Sequence, residues 1–128
     1  MKQQIHTNAA ATAIGPYSQA LSFERLLFTS GQLPLNPLTM TIVEGGISEQ
    51  TRASLANLKA ILEAGNASFD SVLKTTCFLA NINDFAAFNA VYSEVFGCDS
   101  APARSCIEVA NLPKNALVEI EAIAYIKK

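Results

Sequence analysis

The chain has 128 residues, with 11 acidic side chains against 9 basic ones and a net charge of −2. That balance leaves no cationic stripe for a phosphate backbone and argues against a nucleic-acid partner. Charged residues make up 16% and hydrophobic ones 50%, where an ordinary soluble domain is about 25% charged. A monomer of this size has too much surface to cover so sparsely, and a buried contact between copies is expected.

No apolar run reaches the length of a membrane span, and the N-terminus lacks a basic region followed by an apolar segment and a cleavage site. The expectation is a cytosolic protein of one domain, residues 1–128, with no membrane partner. Cys77, Cys98 and Cys106 stand at wide spacings, and His6 is the one imidazole. These fit neither a disulfide framework, nor a metal site, nor a thiol–imidazole nucleophile, so reduced thiols and no metal are expected.

In chain order, Lys2 to Thr7 reads as a short edge strand, and Asn8 to Ile14 is a small-residue stretch with little pattern. Gly15-Pro16 marks a turn that sets Tyr17 at a strand entrance. Ser18 to Phe23 and Leu26 to Ser30 flank Glu24-Arg25 as a hairpin, which ends at Gly31-Gln32 before a loop bearing Pro34 and Pro37. After Gly45-Gly46, Ser48 is the predicted N-cap of a helix running to Ala64. Leu55, Leu58, Ile61 and Leu62 form its apolar face and Gly65 its stop. Ser71 to Ile82 is a long strand, rich in β-branched residues, able to run through the centre of a sheet. Asn83-Asp84 caps a second helix with the stripe Phe85, Phe88, Tyr92, Val95 and Phe96, closed by Gly97. Asn89 falls at the margin of that stripe, suited to a boundary hydrogen bond or to a site.

Pro102 to Ala110 and Leu117 to Ile126 both read as strands, and residues 111–116 are the right length to join them as an antiparallel hairpin. In the second run Val118, Ile120, Ala122, Ala124 and Ile126 make an unbroken apolar row, with Glu119 and Glu121 on the other side. Matching apolar row to apolar row places Arg104 and Cys106 on the same surface as Glu119 and Glu121. Such a face is either the wet side of a half-buried sheet or a site. The whole predicts an α+β domain, one sheet with two helices on a single face.

Gly15-Pro16-Tyr17-Ser18-Gln19-Ala20, Ser30-Gly31-Gln32, Asn83-Asp84-Phe85 with Asn89, Pro102-Ala103-Arg104-Ser105-Cys106, Leu112-Pro113 and Glu119-Ile120-Glu121-Ala122 together resemble the RidA/YjgF/UK114 reactive-intermediate deaminases. The resemblance spans nearly the whole chain. It implies a chorismate-mutase-like α+β fold with a mixed sheet, a homotrimer with sheets packed inside, and sites at the subunit interfaces. It also implies hydrolysis of 2-imino acids to 2-oxo acids and ammonia. Arg104 would bind the carboxylate and Glu119 would hold or activate water, while Tyr17, Ser30, Gly31, Asn89 and Cys106 would line the pocket. Met40 departs from the pattern, standing where that loop commonly has Gly.

The implied chemistry asks little of the protein. A protonated 2-imino acid is already electrophilic, so no metal, cofactor or covalent nucleophile is required, only holding, orienting and supplying water. An arginine fork fits a carboxylate bidentately, each charge-assisted bond contributing roughly 1.5–3 kcal/mol. A carboxylate can take a proton from water and return it to the departing amine, typically worth about 10²–10⁴ in rate. Glu121 beside Glu119 would raise a carboxyl's pKa and Arg104 would lower it. An RNA-acting translation inhibitor, a chorismate mutase and a non-catalytic, chaperone-like trimer are the competing readings.

Overall fold

The computed structural model describes residues 1–127. Its elements are β1 (Gln3–Ile5), β2 (Ala20–Phe23), β3 (Leu26–Thr29), α1 (Ile47–Ala64), β4 (Val72–Leu79), α2 (Phe85–Phe96), β5 (Ala103–Glu108) and β6 (Val118–Tyr125). The six strands form one sheet in the order β1-β2-β3-β6-β4-β5. All neighbouring pairs are antiparallel except β4 and β5, so the sheet is mixed and the domain is α+β, as expected. β1 lies at an edge and β2–β3 is a hairpin, with Glu24 at φ 55 in its turn.

The pleat sorts the side chains. Val118, Ile120, Ala122 and Ala124 of β6 and Cys77 and Leu79 of β4 join Leu55, Leu58, Ile61 and Leu62 of α1 and Phe88 and Tyr92 of α2 in one core. Each fully buried Leu, Ile or Phe there contributes about 1.5–3 kcal/mol. The opposite sheet face is uncovered within the chain. Phe23, Leu26, Phe28, Ile107 and Tyr125 lie on it, each at least 39% exposed.

The largest departure from expectation is the terminal hairpin, which does not form. β4 lies between β5 and β6, pairing parallel to the first and antiparallel to the second. The physical reason lies upstream: α2 connects β4 to β5, and a helical crossover returns the chain parallel to the strand it left. The rungs then separate the two proposed site groups. Arg104 is in register with Thr75 and, across it, with Ala122, all on the helix-covered face. Glu119 is in register with Phe78 and, across it, with Ile107, on the open face. Within one chain Arg104 and Glu119 therefore point to opposite sides of the sheet.

Smaller corrections concern element ends. Gly46, not Ser48, is the N-cap of α1, because the Glu49 carboxylate reaches back to accept from the Gly46 N–H at 2.9 Å. β4 starts at Val72 and ends at Leu79, since Phe69–Ser71 and Ile82–Asp84 tighten into 3₁₀ turns. Met40 adopts φ 59, the left-handed region that glycine takes freely. The loop conformation is thus reached without the glycine, at roughly 1–2 kcal/mol of backbone strain.

Candidate functional site

Arg104 projects from β5 towards α2. Its Nη1 donates to Asn89 Oδ1 at 2.7 Å, and its guanidinium carbon lies 4.8 Å from the Tyr92 ring centroid and 5.4 Å from that of Phe85. Tyr92 is fixed in turn by a 2.7 Å hydrogen bond between its hydroxyl and Thr75 Oγ1, a fully buried group. The ion pairs among the described residues are Arg52–Glu94 and Lys127–Asp70, and neither involves Arg104. A guanidinium held by a neutral acceptor and aromatic faces keeps its positive charge and its remaining donors for a planar anion. It borders an open cleft of about 710 Å³, with Asn89, Tyr92, Ser93, Cys98 and Pro102.

Cys106 lies two residues along on the same face, in register with the buried Cys77. Burial pushes the Cys106 thiol up, with Arg104 partly opposing, and pushes Cys77 up to about 12. Both are thiols rather than thiolates at neutral pH, which makes Cys106 a poor nucleophile.

A second cleft, of about 700 Å³, lies elsewhere in the chain and gathers Tyr17, Ser30, Gly31, Glu119 and Glu121. It lies where the Ser30-Gly31-Gln32 strap runs on from β3 alongside β6 and bridges it antiparallel at Gln32 and Ile120. Gln32 N–H donates to Ile120 O at 2.7 Å, and Ile120 N–H donates back to Gln32 O at 3.2 Å. Gly31 then lies against the carboxylate of Glu119, where an added Cβ would stand 2.5 Å from Oε2 and 2.8 Å from Cδ. Any side chain there would displace that carboxylate. Ser30 Oγ donates to Ser18 O at 2.6 Å, and Ile14 N–H donates to the Tyr17 hydroxyl at 3.2 Å, so both hydroxyls are fixed in place.

Glu119 is held above the usual carboxylate range, first by burial and second by the neighbouring charge of Glu121. Arg104 is not among the causes, as its position across the sheet requires. A carboxylate poised upward is better suited to exchanging protons near neutral pH than an ordinary one.

The expected site residues therefore fall into two groups. Arg104, Asn89 and Cys106 lie on the helix-covered side by α2, and Tyr17 and Glu119 share the other cleft with Ser30 and Gly31 of the strap. Two residues escaped the sequence. Tyr92 read as a core residue, although an arginine pointing at an aromatic helix stripe was the signal for its second role. Lys114 also lines the Glu119 cleft, in a left-handed conformation at φ 58.

The family model described as endoribonuclease L-PSP matches residues 7–126. Relatives include a RutC family protein of Pyrococcus horikoshii, 53% identical over 98% of this chain and 98% of that protein. Another is the 2-iminobutanoate/2-iminopropanoate deaminase of Salmonella typhimurium, 47% identical over 97% of this chain and 98% of that protein. Among solved structures, E. coli TdcF with bound serine superposes with a TM-score of 0.90 at 43% identity, covering 98% of this chain and 99% of that one.

Proposed function

Because the chain belongs to the endoribonuclease L-PSP family, we propose that it hydrolyses 2-imino acids to 2-oxo acids and ammonia. We place the reaction at sites built from two copies of the chain within a homotrimer. The observation that carries this reading is the unspent charge of Arg104, fixed by Asn89 and Tyr92 with no carboxylate paired to it among the described residues. Such a fork takes a substrate carboxylate in plane, which lysine does not. The two groups face opposite ways in one chain, so their cooperation requires a neighbour. The exposed apolar sheet face, with Phe28 at 42% and Tyr125 at 41% exposure, gives that neighbour a surface to cover.

The residues then divide the work. Arg104 orients the planar substrate through its carboxylate. Water bound at Glu119 adds to the C=N carbon while its proton passes to the Glu119 carboxylate, giving a carbinolamine. Glu119, now protonated, returns that proton to the carbinolamine nitrogen, and the regenerated carboxylate takes the hydroxyl proton as the C–N bond breaks and the C=O forms, the proton then leaving with ammonia as ammonium. One carboxyl is base and then acid, and burial together with the charge of Glu121 shifts its pKa upward, in the direction that favours the acid role. Tyr17, Ser30 and Gly31 shape the Glu119 side of the site, and Cys106, two residues from Arg104 on the same strand face, adds a neutral thiol to the other side. The 47% identical Salmonella deaminase supports this reading, as does the serine bound by TdcF, a small amino acid with a carboxylate.

Supplying the imine from a threonine dehydratase in the presence of semicarbazide tests the proposal. A deaminase diverts flux from the semicarbazone to the 2-oxo acid, and an undiminished semicarbazone yield would end this reading. The family description names an endoribonuclease, which supports RNA cleavage as a second reading. Filter binding of RNA at low salt separates the two, since a net charge of −2 favours no binding.

A further inference from the structure

Two glutamates line the strap cleft, so an anionic substrate that approaches Glu119 meets the charge of Glu121 as well. Among the residues lining that cleft, Lys114 alone carries a positive charge. Its ammonium is uncommitted within the chain, since the ion pairs among the described residues are Arg52–Glu94 and Lys127–Asp70.

The backbone that carries this lysine is strained. Lys114 stands at φ 58, ψ 23 and Asn115 follows at φ 57, two consecutive non-glycine residues in the left-handed region. Asparagine tolerates that region through local hydrogen bonds of its short side chain, whereas lysine has no such compensation. The flanks enforce the turn. Asn115 N–H donates to Leu112 O at 3.2 Å and Ala116 N–H to Pro113 O at 3.1 Å. Leu112 and Ala116 are buried, and Leu117 N–H donates at 2.8 Å to Oε1 of the buried Gln50 on α1. Strain persists where the surroundings over-determine the backbone, and it gathers at ligand-binding sites. Glycine would meet the same turn without strain. What the side chain at position 114 adds is therefore a charge, rooted in a fixed turn at the edge of the Glu119 cleft.

Resting on the deaminase reading, we propose that Lys114 is a positioning residue for the anionic substrate, drawing its carboxylate in against the field of Glu119 and Glu121 and towards the Arg104 fork of a second copy. A compact ammonium on a flexible stem suits this role, because it attracts without fixing a plane and leaves in-plane orientation to the guanidinium. Its contribution is to capture rather than to bond breaking. An exposed charge of this kind acts at a distance at low ionic strength and is screened by salt.

The test compares wild type with Lys114→Met, Lys114→Arg and Lys114→Gly in the semicarbazide competition and in calorimetric binding of 2-oxobutanoate. Lys114→Met should lower kcat/KM and product affinity roughly fivefold, the upper end for an exposed charge, with the loss falling on KM rather than kcat. It should also flatten the decline of kcat/KM as salt is raised. Lys114→Arg should restore both. Lys59→Met removes the same charge from an exposed lysine of α1 that lines a separate groove, and should change neither. Lys114→Gly should lose kcat/KM as Lys114→Met does while its melting temperature rises by about 2–4 °C, because glycine relieves the left-handed backbone. Lys114 is exposed, so none of these variants threatens the fold, and light scattering confirms that assembly is retained. The assignment is overturned by a Lys114→Met enzyme with wild-type kcat/KM and salt dependence, by a loss confined to kcat, by an equal loss in Lys59→Met, or by a Lys114→Gly chain that melts below wild type. A wild type that leaves the semicarbazone yield undiminished overturns the deaminase reading instead.

Discussion

The surroundings of Arg104 and of Glu119 handle charge in opposite ways. Arg104 is packed among rings and tied to a neutral amide, which fixes the guanidinium while leaving its charge uncompensated. Glu119 is pressed between the Gly31 backbone and a second carboxylate, which makes its own charge expensive. One surface offers a permanent cation in a fixed orientation, suited to binding. The other offers a carboxyl whose ionisation is easily reversed, suited to moving protons. Their placement on opposite faces keeps Arg104 from pairing with Glu119 inside its own chain, a pairing that would pull the carboxyl's pKa down and consume the fork.

Glu119→Gln is expected to give the largest effect. It keeps shape and removes the base, so turnover should fall by about 10²–10⁴ while calorimetric affinity for 2-oxobutanoate persists. Near wild-type turnover would show that water is positioned by other groups. The same substitution should raise the melting temperature at neutral pH. A carboxyl whose folded pKa lies above its unfolded value weakens the fold once pH exceeds both, and the gain should vanish below the unfolded pKa, near 4.

Arg104→Lys should cost less and in a different quantity. Losing one of two charge-assisted bonds, about 1.5–3 kcal/mol, corresponds to roughly 10- to 150-fold in both kcat/KM and product affinity. A variant that binds product normally would break the division of labour. Mixing unfolded Glu119→Gln and Arg104→Lys chains and refolding them together sharpens it further. If each site takes Arg104 from one copy and Glu119 from another, about one quarter of the sites in a random closed ring are intact, and activity returns to that level. Failure to recover beyond the sum of the two parents would place both residues' roles within one chain.

The smallest expected effect is on pH dependence. Raised pKa at Glu119 puts the acid limb of kcat/KM above the ordinary carboxylate range. Glu121→Gln removes the second cause of that shift and should move the limb to lower pH, leaving only the part due to burial. A limb that stays in place would assign it to a group other than Glu119.

Periodicity revealed most of the fold. Leu55, Leu58, Ile61 and Leu62 repeat at helical spacing and are buried together, and the apolar row of β6 lies against α1. The terminal hairpin misled because period-two alternation in β5 and β6 says which residues share a face but not which strand is the neighbour. The row carrying Arg104 reads as polar and falls, by matching of the apolar rows, on the same face as Glu119 and Glu121, away from the helices. In the fold it turns inward, because Asn89 and the rings of α2 supply the partners that a half-buried guanidinium needs. That compensation comes from another element and is invisible along β5 itself. The residues were legible and their juxtaposition was not, since Gly31 meets Glu119 only through the backbone strap at Gln32.

Asn89 leaves the Arg104 cleft one atom away from electrostatic silence. Asparagine and aspartate have the same shape and differ by an NH₂ against an oxygen, so Asn89→Asp would keep the 2.7 Å contact while giving the guanidinium a partner of its own. An incoming carboxylate would then meet a neutral pair instead of a free cation. The cleft's attraction for anions thus rests on a side chain that holds by hydrogen bonding and carries no charge.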